Sequence, residues 1–148
     1  SYEGPEELSE EEIVFDTQLK DKEITPGNPA DMQLELKINA DQNISISTGA
    51  PYPFKTLYAA SDDERLCIWS EEYVKSDHVS GYCEGGGVHA IGLRRTHSPG
   101  EVIRRNYSIR AQDVNKSGSY VIEEDLEYYN ESMEKTLNYR IEFELENN

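Results

Sequence analysis

The sequence predicts an all-β fold, an antiparallel sandwich of about seven to nine strands. Three observations lead there. Apolar and polar residues alternate in several segments, most clearly at Met32–Ile38 and Leu137–Leu145, the pattern of a strand with one buried face. Clusters of Gly, Pro, Asn, Asp and Ser punctuate the chain between those segments, as turns between short strands do. No segment shows a convincing helical period. Consecutive strands joined mostly by short turns pair antiparallel.

In chain order, residues 1–12 are acidic, with Gly4 and Pro5 and little to bury, and are expected to form a flexible N-terminal segment. Residues 13–148 are expected to form one β-sandwich domain. Ile13, Phe15, Thr17 and Leu19 alternate with Val14, Asp16, Gln18 and Lys20 as a first strand. Pro26-Gly27-Asn28-Pro29 is a turn. Met32, Leu34, Leu36 and Ile38 form a second strand, Asn39–Asn43 breaks it, and Ile44–Ser47 resumes. Thr48–Pro53 reads as a rigid turn, because its prolines are excluded from a central strand. Phe54–Ala60 and Leu66–Trp69 flank the polar turn Ser61-Asp62-Asp63-Glu64 as a hairpin. Cys67 and Trp69, two apart, share one face of their strand and are expected at the centre of the core.

Glu71–Gly87 is the longest irregular segment and holds Gly85-Gly86-Gly87. Val88–Arg95 and Val102–Ala111 read as a hairpin around Thr96–Gly100. Tyr120 and Ile122 begin another strand, Glu127–Glu134 a polar loop, and Leu137–Leu145 the last strand.

The length of 148 residues fits one domain. Hydrophobic residues make up 36% and the mean hydropathy is −0.77, so the core must be thin. The net charge of −16 repels nucleic acid and anionic membrane and suits a halophile, where dense carboxylates keep a protein hydrated. The charge sits at the two ends. Residues 1–31 hold ten acids and two lysines, and residues 121–148 hold nine acids and two bases. No apolar run reaches the roughly 18 residues of a membrane helix. The acid-rich opening SYEGPEELSEEE suits a spacer after a removed signal or an upstream lipid anchor.

Cys67 and Cys83 are expected to form a disulfide that ties the Gly-rich segment to the Trp69 strand. By loop entropy such a closure contributes about 3 kcal/mol; the alternative is two reduced, buried thiols. Four N-x-S sequons stand at Asn43, Asn106, Asn115 and Asn130, which points to an exported, glycosylated chain.

Ser117-Gly118-Ser119-Tyr120-Val121-Ile122 resembles the G-x-Y corner of immunoglobulin-like strands, where a tyrosine hydroxyl caps nearby backbone. Lys116 and Ile122 stand where antibody domains carry Asp and Cys, so the resemblance is to the broad immunoglobulin-like sandwich class. A second set runs in one order: Asn39, Thr48–Phe54, Trp69-Ser70, Ser98–Glu101 and Gly118-Ser119-Tyr120. That order resembles the bacillar intracellular proteinase inhibitor family and related domains of secreted haloarchaeal proteins. The resemblance implies an immunoglobulin-like fold and a proteinase-binding loop.

Asp113, Asn115, Ser117 and Glu124 fit the spacing of a calcium loop, D-x-[DN]-x-[DN]-G-x5-E. The flanking segments alternate like strands rather than helices, so a β-turn competes with this reading. His78, His89 and His97 with the two cysteines lack any zinc-binding spacing. No nucleophile-elbow or zinc-protease motif is present, Gly85–Gly87 lacks a phosphate-loop context, and Asp62, Asp63 and Glu64 read as a solvated turn. No catalytic residue and no cofactor is therefore expected. Five of the fourteen basic residues, Arg94, Arg95, Arg104, Arg105 and Arg110, form a candidate interaction face. In the expected hairpin Arg94 and Arg104 lie nearly opposite, and carboxylates such as Glu142 and Glu144 or an acidic partner must offset them. These readings converge on a non-enzymatic, exported binding or assembly domain with a protein partner or a second copy. The alternatives are a proteinase-inhibitor domain and a calcium-binding adhesive module.

Overall fold

The structure, a computed structural model, describes residues 11–19, 23–24, 30–49, 51–62, 64–71, 83, 93–110, 114 and 116–147. They form β1 (Ile13–Leu19), β2 (Glu23–Ile24), β3 (Ala30–Ile38), β4 (Ile44–Thr48), β5 (Leu57–Ala60), β6 (Arg65–Ser70), β7 (Leu93–His97), β8 (Val102–Ile109), β9 (Gly118–Asn130) and β10 (Met133–Asn147). Nine strands pair antiparallel; the two-residue β2 runs parallel to the end of β10.

Two layers enclose one core. The first is β1-β3-β8, reaching the end of β6. The second is β7-β4-β9-β10. The β5–β6 hairpin joins them: Ala60 meets Val121 of β9, while Trp69 and Ser70 meet Ser108 and Tyr107 of β8. Strand alternation decides what the layers share. On β3 the residues Ala30, Met32, Leu34, Leu36 and Ile38 are buried in alternation with more exposed ones. From the facing layer come Ile44, Ile46, Ile122, Leu126, Ile141 and Leu145. Aromatic rings close the gap: Phe15 of β1 stacks on Tyr139 of β10 at 4.5 Å, and Phe54 meets both edge-on.

Four sequence-based expectations need correction. Glu127–Glu134 is not a loop. β9 continues to Asn130, a two-residue turn at Glu131-Ser132 follows with Glu131 at φ 59°, and β10 starts at Met133. Leu126 and Tyr128 point inward there, with Asp125 and Glu127 on the outer face, so period-two alternation was present under a high density of charge. Second, β7 and β8 do not form a hairpin. β7 pairs with β4 and β8 with β3, so Ser98–Gly100 passes between the layers. Gly100 N donates to Ile38 O at 2.7 Å and Ile38 N to Glu101 O at 2.9 Å, which pins the crossing.

Third, Trp69 is buried, at 8% exposure, but not at the centre of the core. Leu66 and Ile68 point into it, which puts Cys67 and Trp69 on the other face of β6. There the Arg110 guanidinium covers the indole at 3.7 Å. Fourth, the strand expected from Phe54 starts at Leu57. Pro51–Phe54 is a buried turn closed by Lys55 N donating to Pro51 O at 2.6 Å. A proteinase-binding loop has to be exposed, so this part of the inhibitor resemblance cannot supply one.

The tyrosine corner is present: Tyr120 Oη donates to Lys116 O at 2.8 Å. It fastens the entry of β9, whose first residue, Gly118, has φ 147°. Tyr120→Phe keeps the ring packed beside Phe143 and removes only the hydroxyl. The expected loss is about 1 kcal/mol, read by chemical denaturation; an unchanged midpoint would show that the corner does not stabilise the fold.

Candidate interaction surface

His97, the last residue of β7, is buried at 7% exposure. Its Nε2 lies 2.7 Å from Tyr52 Oη and its Nδ1 2.7 Å from Glu101 Oε2, while Ser98 N donates to Glu101 Oε1 at 3.0 Å. A carboxylate, an imidazole and a hydroxyl stand in line, as in some hydrolases, with the imidazole and the hydroxyl buried. Tyr52 is 6% exposed, and burial pushes its hydroxyl up to about 12, against the pull of Arg95 and Arg105. It stays protonated at neutral pH. The line ties the Pro51–Phe54 turn to the end of β7. His97 bonding and the Ser98 backbone hold the Glu101 carboxyl below the usual range.

A second polar lock sits where the chain enters β1. Glu12 O accepts from Asn39 N at 2.8 Å and Ala40 N at 3.1 Å. The Glu12 carboxylate accepts from Lys135 Nζ at 2.8 Å, Tyr128 Oη at 2.9 Å and Asn130 Nδ2. Burial works to raise this carboxyl, yet the bonds from Lys135, Asn130 and Tyr128 prevail and lower it. Burial and its bond to Glu12 push Tyr128 up to about 12.

Cys67 and Cys83 form a disulfide with their Cα atoms 5.7 Å apart. Of the sequon asparagines, Asn43 and Asn106 are exposed, whereas the Asn130 nitrogen is spent on Glu12 and, at 3.3 Å, on Gln42. Asn115, Asp113, His78 and His89 lie outside the described residues. Ser117 is exposed. Glu124, the last calcium candidate, sits on β9 opposite Tyr139, its carboxylate 3.2 Å from Lys55 Nζ. Among the described residues no three His, Cys, Asp or Glu side chains converge to hold a metal.

The five arginines do not share a face. Arg104 bonds Glu35 of β3 at 2.6 Å, so its offsetting carboxylate comes from the neighbouring strand and not from Glu142 or Glu144. Arg105 Nε donates to Tyr52 O at 3.1 Å, and Arg110 covers Trp69. Arg94 and Arg95 stay together on β7. Both are exposed, with guanidinium groups over the rings of Tyr129 at 4.0 Å and Tyr52 at 4.9 Å.

The opposite charge is gathered on the outer face of β9 and β10. Alternation puts Glu123, Asp125 and Glu127 of β9 beside Glu134, Glu142 and Glu144 of β10, all exposed. Arg140 stands among them, 3.5 Å from Glu123 and 3.4 Å from Glu142. A cleft of about 610 Å³ opens at one end, between Ala60, Asp62 and Tyr120 and the Arg140, Glu142 and Glu144 side chains. Neither lock was legible in the sequence. Tyr52 and His97 are 45 residues apart, and Glu12 and Lys135 are 123 apart, and no motif links them.

Two layers, cross-layer strands and a tyrosine corner define an immunoglobulin-like antiparallel β-sandwich. The chain belongs to the family described as domain of unknown function DUF8130, whose profile matches residues 5–148. No curated protein matches it. Similar solved structures include the ASH/PapD-like domain 7 of human CEP192, at 12% identity and TM-score 0.44, with 89% of this chain and 86% of that one covered. AggA, the major subunit of aggregative adherence fimbriae type I from Escherichia coli, is similar at 8% identity and TM-score 0.49, covering 92% and 94%. A β-glucosidase from Listeria innocua, solved with gluconolactone, is similar at 11% identity and TM-score 0.30 over 88% of this chain and 16% of that one.

The two lowered carboxyls set an acid limit. Glu101 and Glu12 lie below the unfolded value of roughly 4.3, so their stabilisation is complete above that pH and is lost as pH falls through the lower folded values. Melting temperature should drop on acidification below about pH 5, and Glu101→Gln should flatten the drop. The same slope in the variant would remove Glu101 from the linkage.

Proposed function

We propose that this domain is a non-enzymatic binding or assembly module of an exported, surface-tethered protein. The observation that carries the reading is the Cys67–Cys83 disulfide, since such bonds persist in oxidising compartments and are rare in reducing ones. The exposed sequons at Asn43 and Asn106 support export. The acid-rich residues 1–12 have the composition of a spacer, which fits tethering through an upstream lipid. The outer carboxylates fit a salt-rich medium, where counter-ions screen them. In the hydroxyl–imidazole–carboxylate line Tyr52 and His97 are buried and bonded to each other and to Glu101, which supports a binding role over a catalytic one.

The bond itself is testable. Protein purified without reductant should show no free thiol when unfolded. Replacing both cysteines by alanine should remove about 3 kcal/mol of stability, from the loop closure. Two titratable thiols in protein taken from its native source would overturn the exported reading.

A further inference from the structure

We infer that the domain binds a second copy of itself edge to edge, strand β7 of one copy lying antiparallel against the Ile141–Leu145 half of β10 in the next. The inference rests on the reading of the domain as an assembly module and names its partner. β7 and β10 are the two edges of one layer. Among the described residues β7 pairs only with β4, and β10 from Met133 to Leu145 pairs only with β9. Among the described residues each edge therefore has one side of its backbone without a ladder partner, which is a template for another strand.

Direction favours this pairing. The layer runs β7-β4-β9-β10 with every neighbour antiparallel, so β7 and β10 point opposite ways. Within one copy β7 lies level with Met133–Thr136 of β10, so a copy in the same orientation, displaced along the strands from that level to Ile141–Leu145, brings its β7 antiparallel to β10 and continues the sheet.

Charge then selects it. β7 presents Arg94 on the outer face, over Tyr129, and Arg95 on the opposite side, over Tyr52, and neither meets a carboxylate among the described residues. β10 presents Glu142 and Glu144 on its outer face; Arg140, opposite Glu123 of β9, lies 3.4 Å from Glu142 and leaves Glu144 without a cation among the described residues. Two β7 edges would oppose arginines and two β10 edges would oppose carboxylates, and like charges across a strand pair destabilise it. The edge of β1, in the other layer, carries the exposed acid Asp16 and so also repels β10. Of the pairings between edges of this layer, only the unlike one attracts. Because they are different surfaces of one molecule, the contact is heterologous and builds open chains rather than a closed dimer. The net charge of −16 opposes approach at a distance, but salt near 0.15 M screens beyond roughly 8 Å and leaves contact pairs largely intact.

Sedimentation equilibrium of the whole chain in about 0.15 M salt, up to about 1 mM for a weak interface, should show a mass that rises with concentration and does not level at a dimer. Arg94→Glu with Arg95→Glu, and separately Glu142→Lys with Glu144→Lys, should each weaken association at least about tenfold. Mixing the two variants should restore it, as should all four reversals in one chain, which also shows that the variants fold. A wild-type chain that stays monomeric, a plateau at dimer, or reversed chains that do not recover on mixing would each overturn the inference. The exported reading is decided separately by the thiols, so it survives a monomeric result.

Discussion

Side chains on a strand alternate between two faces, and the thirteen paired positions from Gly118–Leu145 to Asn130–Met133 impose that rule across the length of the β9–β10 hairpin. Ile122, Leu126, Ile141, Phe143 and Leu145 go inward and close the core. Glu123, Asp125, Glu127, Glu134, Glu142 and Glu144 take outward positions. The acidity of this region and the packing of the sandwich are therefore one property of one hairpin. Glu124 is the inward exception, and Lys55 reaches across from the buried turn to neutralise it.

The margins of the sandwich are held by polar locks rather than by more apolar area. The Tyr52–His97–Glu101 line fixes the buried turn to β7, and Glu12 gathers Tyr128, Asn130 and Lys135 where the chain enters β1. Each bond is worth only about 1 kcal/mol net. Leaving a buried donor or acceptor unmatched costs about 1–3 kcal/mol, so these groups matter more for excluding misplaced strands than for adding stability.

Much of the fold was legible because period-two alternation is a local signal. β1, β3, β4 and the β5–β6 hairpin fall within a few residues of where Ile13–Leu19, Met32–Ile38, Ile44–Ser47 and Phe54–Trp69 place them. The tyrosine corner was readable from Ser117–Tyr120, and the disulfide from two cysteines alone. What failed was non-local. The sequence of Thr96–Gly100 fits a hairpin turn, but the backbone bonds to Ile38 that make it a crossing come from a distant strand. Trp69 reads as core because tryptophan is large and apolar, whereas the register of β6 turns it to the outer face beneath Arg110. The arginine cluster dissolved for the same reason: neighbours in sequence were dealt to two layers.

That separation leaves a molecule whose second layer has one basic and one acidic edge. Backbone templating and charge act on the same strands, Arg94–His97 and Ile141–Leu145, and act together only between copies. Amide hydrogen exchange as a function of protein concentration, in about 0.15 M salt, tests this most directly. The account predicts exchange that slows with concentration at those two strands and stays constant in β3, which is paired on both sides within one copy. Concentration-independent exchange at both edges would contradict it.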